Sequence, residues 1–286
     1  MLQEFYCGEI YIRHAIEELP DKKSFQMHIH DECEIYFFVS GRVNYLVEST
    51  TYPLEKNSVA IMRPAEAHMP QIIGDAQYER YAINFPSSYV LKFDPEGLLL
   101  KPFIDRDLGK YNYYDPEELD MKLVGRMFAE MIQAKGDYER ELTLTTHLLF
   151  LLSELNRAFL RKNKTDEFPK SPEGKMISYV NQHLFEPISV PILAEHFYLS
   201  SSQFSRIFKM ATGAPPWEYI LKKRLTAARQ EIRNGVTAQK AAEKCGFGNY
   251  SAFYRAFVGH YGYAPTDSET VVGEIVSENV QQSLQK

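Results

Sequence analysis

Ser200-Ser-Ser-Gln-Phe-Ser-Arg-Ile-Phe208 returns forty-nine residues later as Asn249-Tyr-Ser-Ala-Phe-Tyr-Arg-Ala-Phe257. Phe204, Arg206 and Phe208 match Phe253, Arg255 and Phe257, and further on Gly213 and Pro216 match Gly262 and Pro265. Upstream, Ala194-Glu195 answers Ala242-Glu243 with a slip of one residue. A repeat of this kind marks one supersecondary unit used twice.

Each copy opens with a helix-capping side chain. Ser200, with Gln203 three residues on, makes a capping box, and Asn249 serves the second copy. At about 100° per residue, Phe204, Ile207, Phe208 and Ala211 share one side of the first helix, and Ser202, Ser205, Arg206 and Lys209 share the other. In the second, Phe253, Ala256 and Phe257 oppose Ser251, Tyr254, Arg255 and Val258. A short apolar helix precedes each: Val190 to Phe197, and Ala238 to Cys245 with Thr237 as its expected N-cap. Two short helices with a donor-rich second one form a helix-turn-helix, which presents that helix to DNA. One copy alone reads equally well as an ordinary amphipathic helix. Two copies with the same arginine placement favour DNA.

The net charge of -6 hides a division. Met176 to Pro265 carries ten Lys or Arg against five Glu and no Asp, about +5, which leaves about -11 for the remainder. A basic segment that also holds the repeat is the electrostatic footprint of a surface that meets phosphate. With 286 residues the chain has room for two cores. Cys7, Cys33 and Cys245 are scattered and odd in number, which fits a reducing compartment and structural thiols. No apolar run reaches the roughly 18 residues of a membrane span, and Met1 to Gly8 lacks signal-peptide character. A cytoplasmic location and no membrane partner are expected.

Upstream of the basic segment, residues 1 to about 93 read as β. The short alternating runs Glu34 to Val39, Val43 to Val47, Ser58 to Met62 and Arg80 to Phe85 are broken by Gly41, Pro53, Pro64 and Gly74. Such spacing predicts a small barrel or jelly roll. His28, His30, Glu34, Tyr36, Phe38 and Ser40 share one parity along an extended chain, and His68 follows later. Three imidazoles and a carboxylate are a workable divalent-metal set, and the same residues equally line a polar pocket without metal.

From Pro116 the period becomes helical, with Leu119, Leu123, Met127 and Met131 on one stripe. Glu141 to Leu160 continues with Leu144, Leu148, Leu151, Leu152, Leu155 and Phe159, joined through Lys135-Gly-Asp into a hairpin. Its apolar face is broad enough to serve a dimer, although burial within one chain also explains it. Arg161 to Lys175 is polar with two prolines and reads as a linker. Trp217 to Arg233 forms a connector helix stopped at Asn234-Gly235, of a length to set two recognition helices about one DNA turn, roughly 34 Å, apart.

Two resemblances join these parts. His28-x-His30-x3-Glu34-x6-Gly41 resembles the first cupin motif and Asn57 to His68 the second, with Lys22, Asn57 and Ala65 where the motifs carry glycine. Ala242-Glu-Lys-Cys-Gly-Phe247-x-Asn249-x-Ser251-x-Phe253-x-Arg255-x-Phe257-x4-Gly262-x2-Pro265 is similar to the DNA-binding domain of AraC/XylS-family bacterial transcription regulators. That family usually continues with a Tyr-Arg pair, and here Thr266-Asp-Ser-Glu leads into an acidic tail.

The expected fold is a multidomain α+β chain. A cupin-like β-barrel sensor (1–115) and helical hairpin (116–160) lead through a linker (161–175) to an all-α double helix-turn-helix domain (176–265) and a disordered tail (266–286). Such a chain would be a ligand-responsive regulator of carbohydrate-utilisation genes and not an enzyme. The alternative is a metal-dependent cupin oxygenase or isomerase.

Ser202, Ser205, Arg206, Lys209, Tyr250, Ser251, Tyr254 and Arg255 are the expected DNA contacts, with the two arginines on base edges. Gln203, Lys222, Lys223 and Arg224, like Lys209, are assigned to phosphate or solvent. His28, His30, Glu34, Tyr36 and His68 are the expected effector contacts; no metal is expected, and a divalent ion on His28, His30, Glu34 and His68 is the alternative. The expected partners are an operator in double-stranded DNA, a small-molecule effector of the sugar class, a second copy of the chain and RNA polymerase.

Overall fold

The computed structural model describes residues 1–21, 25, 27–162, 172–233 and 235–267. Lys22, Asn234, positions 163–171 of the expected linker and the expected tail from 268 onward lie outside the described residues. The chain divides into two compact units, Met1–Ser171 and Pro172–Lys286.

The first unit opens with β1 (Leu2–Cys7), β2 (Ile10–Glu17), β3 (Cys33–Ser40), β4 (Val43–Val47), β5 (Thr50–Pro53), β6 (Ser58–Met62), β7 (His68–Ile72) and β8 (Tyr78–Phe85), and β9 (Tyr113–Tyr114) follows later. They form a six-stranded sheet, β1-β2-β8-β3-β6-β9, and a three-stranded one, β5-β4-β7. All pairings are antiparallel. The β-rich domain read from the sequence is present, with its hydrogen bonds divided between these two sheets.

Alternation along β3 assigns its two faces. Cys33, Ile35 and Phe37 enter a core shared with β2, β8 and the helices, while Tyr36 and Phe38 enter a second core. The second core draws Val43, Tyr45 and Val47 from β4, Tyr52 from β5, Ala60 and Met62 from β6 and Tyr78 from β8, so it lies between the sheets. The parity read from His28 to Ser40 holds through Phe38, where an irregularity shifts the register before Ser40.

The helices are α1 (Ser87–Leu91), α2 (Lys101–Ile104), α3 (Met121–Gln133) and α4 (Asp137–Arg161). Asp120 caps α3 by accepting from the backbone N–H of Lys122 and Leu123. Met127, Met131, Leu144, Leu148, Leu151, Leu152, Leu155 and Phe159 join the outer core as the periodicity predicts, whereas Leu119 and Leu123 are only half-buried against it. Gly136, at φ 79°, supplies the turn between α3 and α4. The far side of α4 leaves Tyr138, Leu142, Phe150 and Leu160 exposed.

The second unit contains α5 (Pro172–Gln182), α6 (Val190–His196), α7 (Ser201–Thr212), α8 (Pro216–Arg233), α9 (Ala238–Lys244) and α10 (Tyr250–Tyr261). The repeat is structural. Ser200 caps α7 through a full capping box, and the Asn249 side chain accepts from Ala252 N at the start of α10. Both helices end on a left-handed glycine, Gly213 at φ 76° and Gly262 at φ 78°. Thr237 precedes α9 without a side-chain cap bond. Phe204, Phe208, Phe253 and Phe257 are all fully buried, each worth about 1.5–3 kcal/mol relative to an exposed ring.

Candidate functional site

The phenylalanines pin α7 and α10 by one side, which turns the opposite side outward. Ser202, Arg206 and Lys209 are exposed on α7, and Ser205 is half-buried. On α10, Tyr250, Ser251, Tyr254 and Arg255 are exposed. The side chains of Arg206, Lys209 and Arg255 enter no hydrogen bond or ion pair among the described residues, so their charges are free to meet an external anion.

Of the residues assigned to phosphate or solvent, Lys223 and Arg224 are structural instead, and Gln203, though exposed, serves the cap. Gln203 Oε1 accepts from the Ser200 N–H (3.0 Å) and Ser200 hydroxyl (2.9 Å), which commits it to the cap. Lys223 is 2% exposed, with its ammonium 5.4 Å from the Tyr219 ring centroid. Arg224 donates from all three guanidinium nitrogens to backbone carbonyls: Nε to Leu184, Nη1 to Gly246 and Nη2 to Glu186, each at 2.7 Å. Sequence periodicity places Lys223 and Arg224 on a long basic helix without showing that the segment after α5 and the α9–α10 turn close over it. Lys222 pairs with Glu218 at 2.9 Å and stays half-exposed.

In the first unit the structure brings His28, His30, Glu34 and His68 together, with one ligand atom from each inside a 4.8 Å cluster. Glu34 Oε2 lies 2.9 Å from His30 Nε2 and 3.3 Å from His68 Nε2. The outer nitrogens face main chain, His30 Nδ1 3.0 Å from Glu32 O and His68 Nδ1 2.7 Å from Glu66 O. Each ring is thereby turned with Nε2 toward the carboxylate. His28 is more exposed, yet its ring lies 4.1 Å from that of His68, and the two residues exchange backbone hydrogen bonds at 3.1 Å. Tyr36 is buried beside Tyr45, ring centroids 4.7 Å apart, with its hydroxyl on that of Tyr78.

Burial alone would lower the His30 pKa, but the hydrogen bond and charge of Glu34 outweigh it and push it up to about 9. Burial likewise opposes ionisation of Glu34, and the hydrogen bonds from His30 and His68 hold it well below the usual carboxylate range. Burial pushes the Tyr36 and Tyr45 phenols well above their ordinary values, so both remain neutral donors.

Sequence reasoning missed two residues on the same wall. Asn84 donates to Glu34 Oε2 at 3.1 Å, and Arg80 lies buried two positions before Ala82 on β8. The alternation Tyr78-x-Arg80-x-Ala82-x-Asn84 is the signal that would have found them. Two surface cavities of about 280 and 340 Å³ lie away from the cluster, one lined by Cys7, Tyr89 and Arg140, the other by Phe37, Glu79 and Arg126.

The AraC-like ligand binding domain family matches residues 14–148, and a helix-turn-helix domain family matches residues 193–269. The chain belongs to the AraC family of transcription regulators. This AraC-family chain is 24% identical over 269 residues to the HTH-type transcriptional activator RhaS of Escherichia coli O139:H28 (strain E24377A / ETEC), covering 88% of this chain and 90% of RhaS. It is 40% identical over 90 residues to the probable transcriptional regulator LumQ of Photobacterium leiognathi, 31% of this chain and 36% of LumQ. The crystal structure of ToxT from Vibrio cholerae O395 aligns over 93% of this chain and 99% of its own at 12% identity, with a TM-score of 0.37, too slight a likeness to bear on function.

As an AraC-family protein the chain is a ligand-responsive, DNA-binding transcription regulator. Its matched relatives are regulators, which sets aside the cupin-enzyme alternative. Among the described residues no helix is long and apolar enough to cross a membrane.

Proposed function

We propose that this regulator controls carbohydrate-utilisation genes from the cytoplasm, reading an operator with α7 and α10 while a sugar held between the two sheets sets its activity. The observation that carries the DNA half is the equivalent placement of Arg206 and Arg255, both exposed and, among the described residues, without an ion-pair partner. In this reading they contact guanine edges in successive major-groove segments. Ser202, Ser205, Ser251 and Tyr254 flank them, and Lys209 and Tyr250 reach the backbone. The effector half is supported by neutral phenols and charged hydrogen-bonding groups that face the space between the sheets, a setting that suits a polyhydroxyl ligand. His28, His30, Glu34, Tyr36 and His68 would contact it.

Selection of bound sequences from a random duplex pool, with and without a panel of sugars, tests both halves. A bipartite consensus whose recovery changes with one sugar supports the reading. A consensus insensitive to every sugar removes the carbohydrate half.

A second copy of the chain would dock through the exposed side of α4, and RNA polymerase would be met at the promoter. A divalent ion is a second occupant of the His28, His30, Glu34 and His68 cluster. Donors about 2.1 Å from a metal lie within about 4.2 Å of one another, so the cluster fits after a small closure. Metal analysis of the purified chain decides it: a stoichiometric ion lost in His30→Ala supports the metal.

A further inference from the structure

Alternate residues of a strand share a face, so Tyr78, Arg80, Ala82 and Asn84 of β8 look into the space between the sheets. Tyr78 belongs to the core there, and Asn84 reaches Glu34 there. Arg80 therefore stands on the same wall as the cluster, four residues or roughly 13 Å along the strand from Asn84. It is 6% exposed. Its Nη2 donates to Glu17 at 2.6 Å, and its guanidinium carbon lies 4.2 Å from the Tyr78 ring centroid and 5.2 Å from that of Phe25. A carboxylate at one corner and two rings against the plane fix the direction of the fork. The remaining Nη1 is buried and meets no acceptor among the described residues.

Arg106 in the same unit shows what a closed structural arginine looks like. Its two terminal nitrogens each lie 2.7 Å from one oxygen of Glu66, and its Nε donates to Pro102 O at 2.8 Å. Arg80 is held by the Glu17 bond and the two rings, with one corner left open. An unmade hydrogen bond on a buried donor costs about 1–3 kcal/mol, more when the group is charged. An apolar side chain would fill the position without that cost. Glu17 offers incomplete compensation, because its side chain is 31% exposed. A charged donor prefers an ionised acceptor, with bonds roughly twice as strong as those to neutral ones, and the guanidinium fork matches carboxylate and phosphate.

We propose that Arg80 is the oxyanion-binding residue of the effector pocket, and that the effector is an acidic carbohydrate, a sugar carrying a carboxylate or a phosphate. The inference rests on the reading of the inter-sheet space as the effector pocket.

Titration calorimetry of the full chain against matched trios, glucose with glucuronate and glucose 6-phosphate, and galactose with galacturonate and galactose 6-phosphate, tests it. At least tenfold tighter binding of an acidic member than of its neutral parent is expected, and which member wins separates carboxylate from phosphate. Arg80→Gln should abolish the preference and Arg80→Lys should retain part of it. Glu17→Gln, which keeps the fork and removes the competing carboxylate, should tighten the acidic ligand. If Arg80→Gln fails to fold by circular dichroism, the opposite responses of the other two variants carry the test. Equal affinity for neutral and acidic members would overturn the role of Arg80 and leave the carbohydrate reading standing. Arg80-dependent binding of citrate or benzoate, with no sugar bound, would keep the oxyanion site and overturn the carbohydrate. No binding across the panel would overturn both.

Discussion

Asn57 and Ala65, which stand where the cupin-like motifs carry glycine, adopt φ of 60° and 63°. The backbone takes a conformation that favours glycine with an L-residue in place, and Ala65 N donates to His30 O at 3.0 Å. A left-handed L-residue costs roughly 1–2 kcal/mol, against about 0.5–1 kcal/mol for the extra chain entropy of glycine. Ala65→Gly should thus be neutral or stabilising by up to about 1 kcal/mol in urea unfolding, opposite to the usual sign for Ala→Gly. A second residue-scale test concerns the buried Arg106–Glu66 pair, both side chains at 0% exposure. Arg106→Met strands a carboxylate that also accepts from Gly109 N and Asn112 Nδ2. It should lower first-unit stability by about 3–5 kcal/mol, and a loss below 1 kcal/mol in the same unfolding experiment would refute the buried-pair account. At this scale the sequence showed His28, His30, Glu34 and His68, because they sit in a motif. Arg80 and Asn84 were marked only by the alternation of β8, and Arg106 was hidden, because a lone Arg in a loop has no spacing signature and its partners come from distant segments.

Among elements, β3, β4, β6 and the core of β8 were legible as alternating or continuous apolar runs. The strands β1, β2, β5, β7 and β9 were not. The buried positions of β7 are His68 and Pro70 rather than aliphatic residues, and β1 is an edge strand with little burial. The helical repeat was legible almost to the residue because caps, phenylalanines and terminal glycines recur together. Its turns differ in one respect. A Cβ on Gly246 would stand 2.7 Å from Phe185 O, whereas one on Gly262 meets nothing within 4 Å. Both have positive φ. Gly262→Ala should therefore cost at most about 1 kcal/mol, the left-handed strain less the chain entropy of glycine, and Gly246→Ala distinctly more, as read by thermal melting of the second unit. Equal losses would mean that Phe185 yields.

For the molecule as a whole, the charge division read from composition gives the first test. Arg206→Ala and Arg255→Ala should each weaken binding to the selected operator by about 1–3 kcal/mol and relax one base preference, while Lys209→Ala should weaken all sequences alike and reduce the salt slope by about 1. Arg224→Gln should behave differently from all three, losing stability rather than sequence preference. Self-association is the second test: sedimentation at micromolar concentration should show a dimer that Leu142→Lys dissociates, and a wild-type monomer would remove the α4 interface.

The Arg224 joint also bears on how such a regulator can change. Its three acceptors are carbonyls of Leu184, Glu186 and Gly246, which exist whatever side chains those positions carry. The hold of α8 on the backbone before α6 and before α10 is therefore insulated from side-chain changes at those positions. On the proposed reading, mutations on the outer faces of α7 and α10 would retarget the protein to a new promoter without disturbing this joint, so that recognition and geometry would be free to evolve separately.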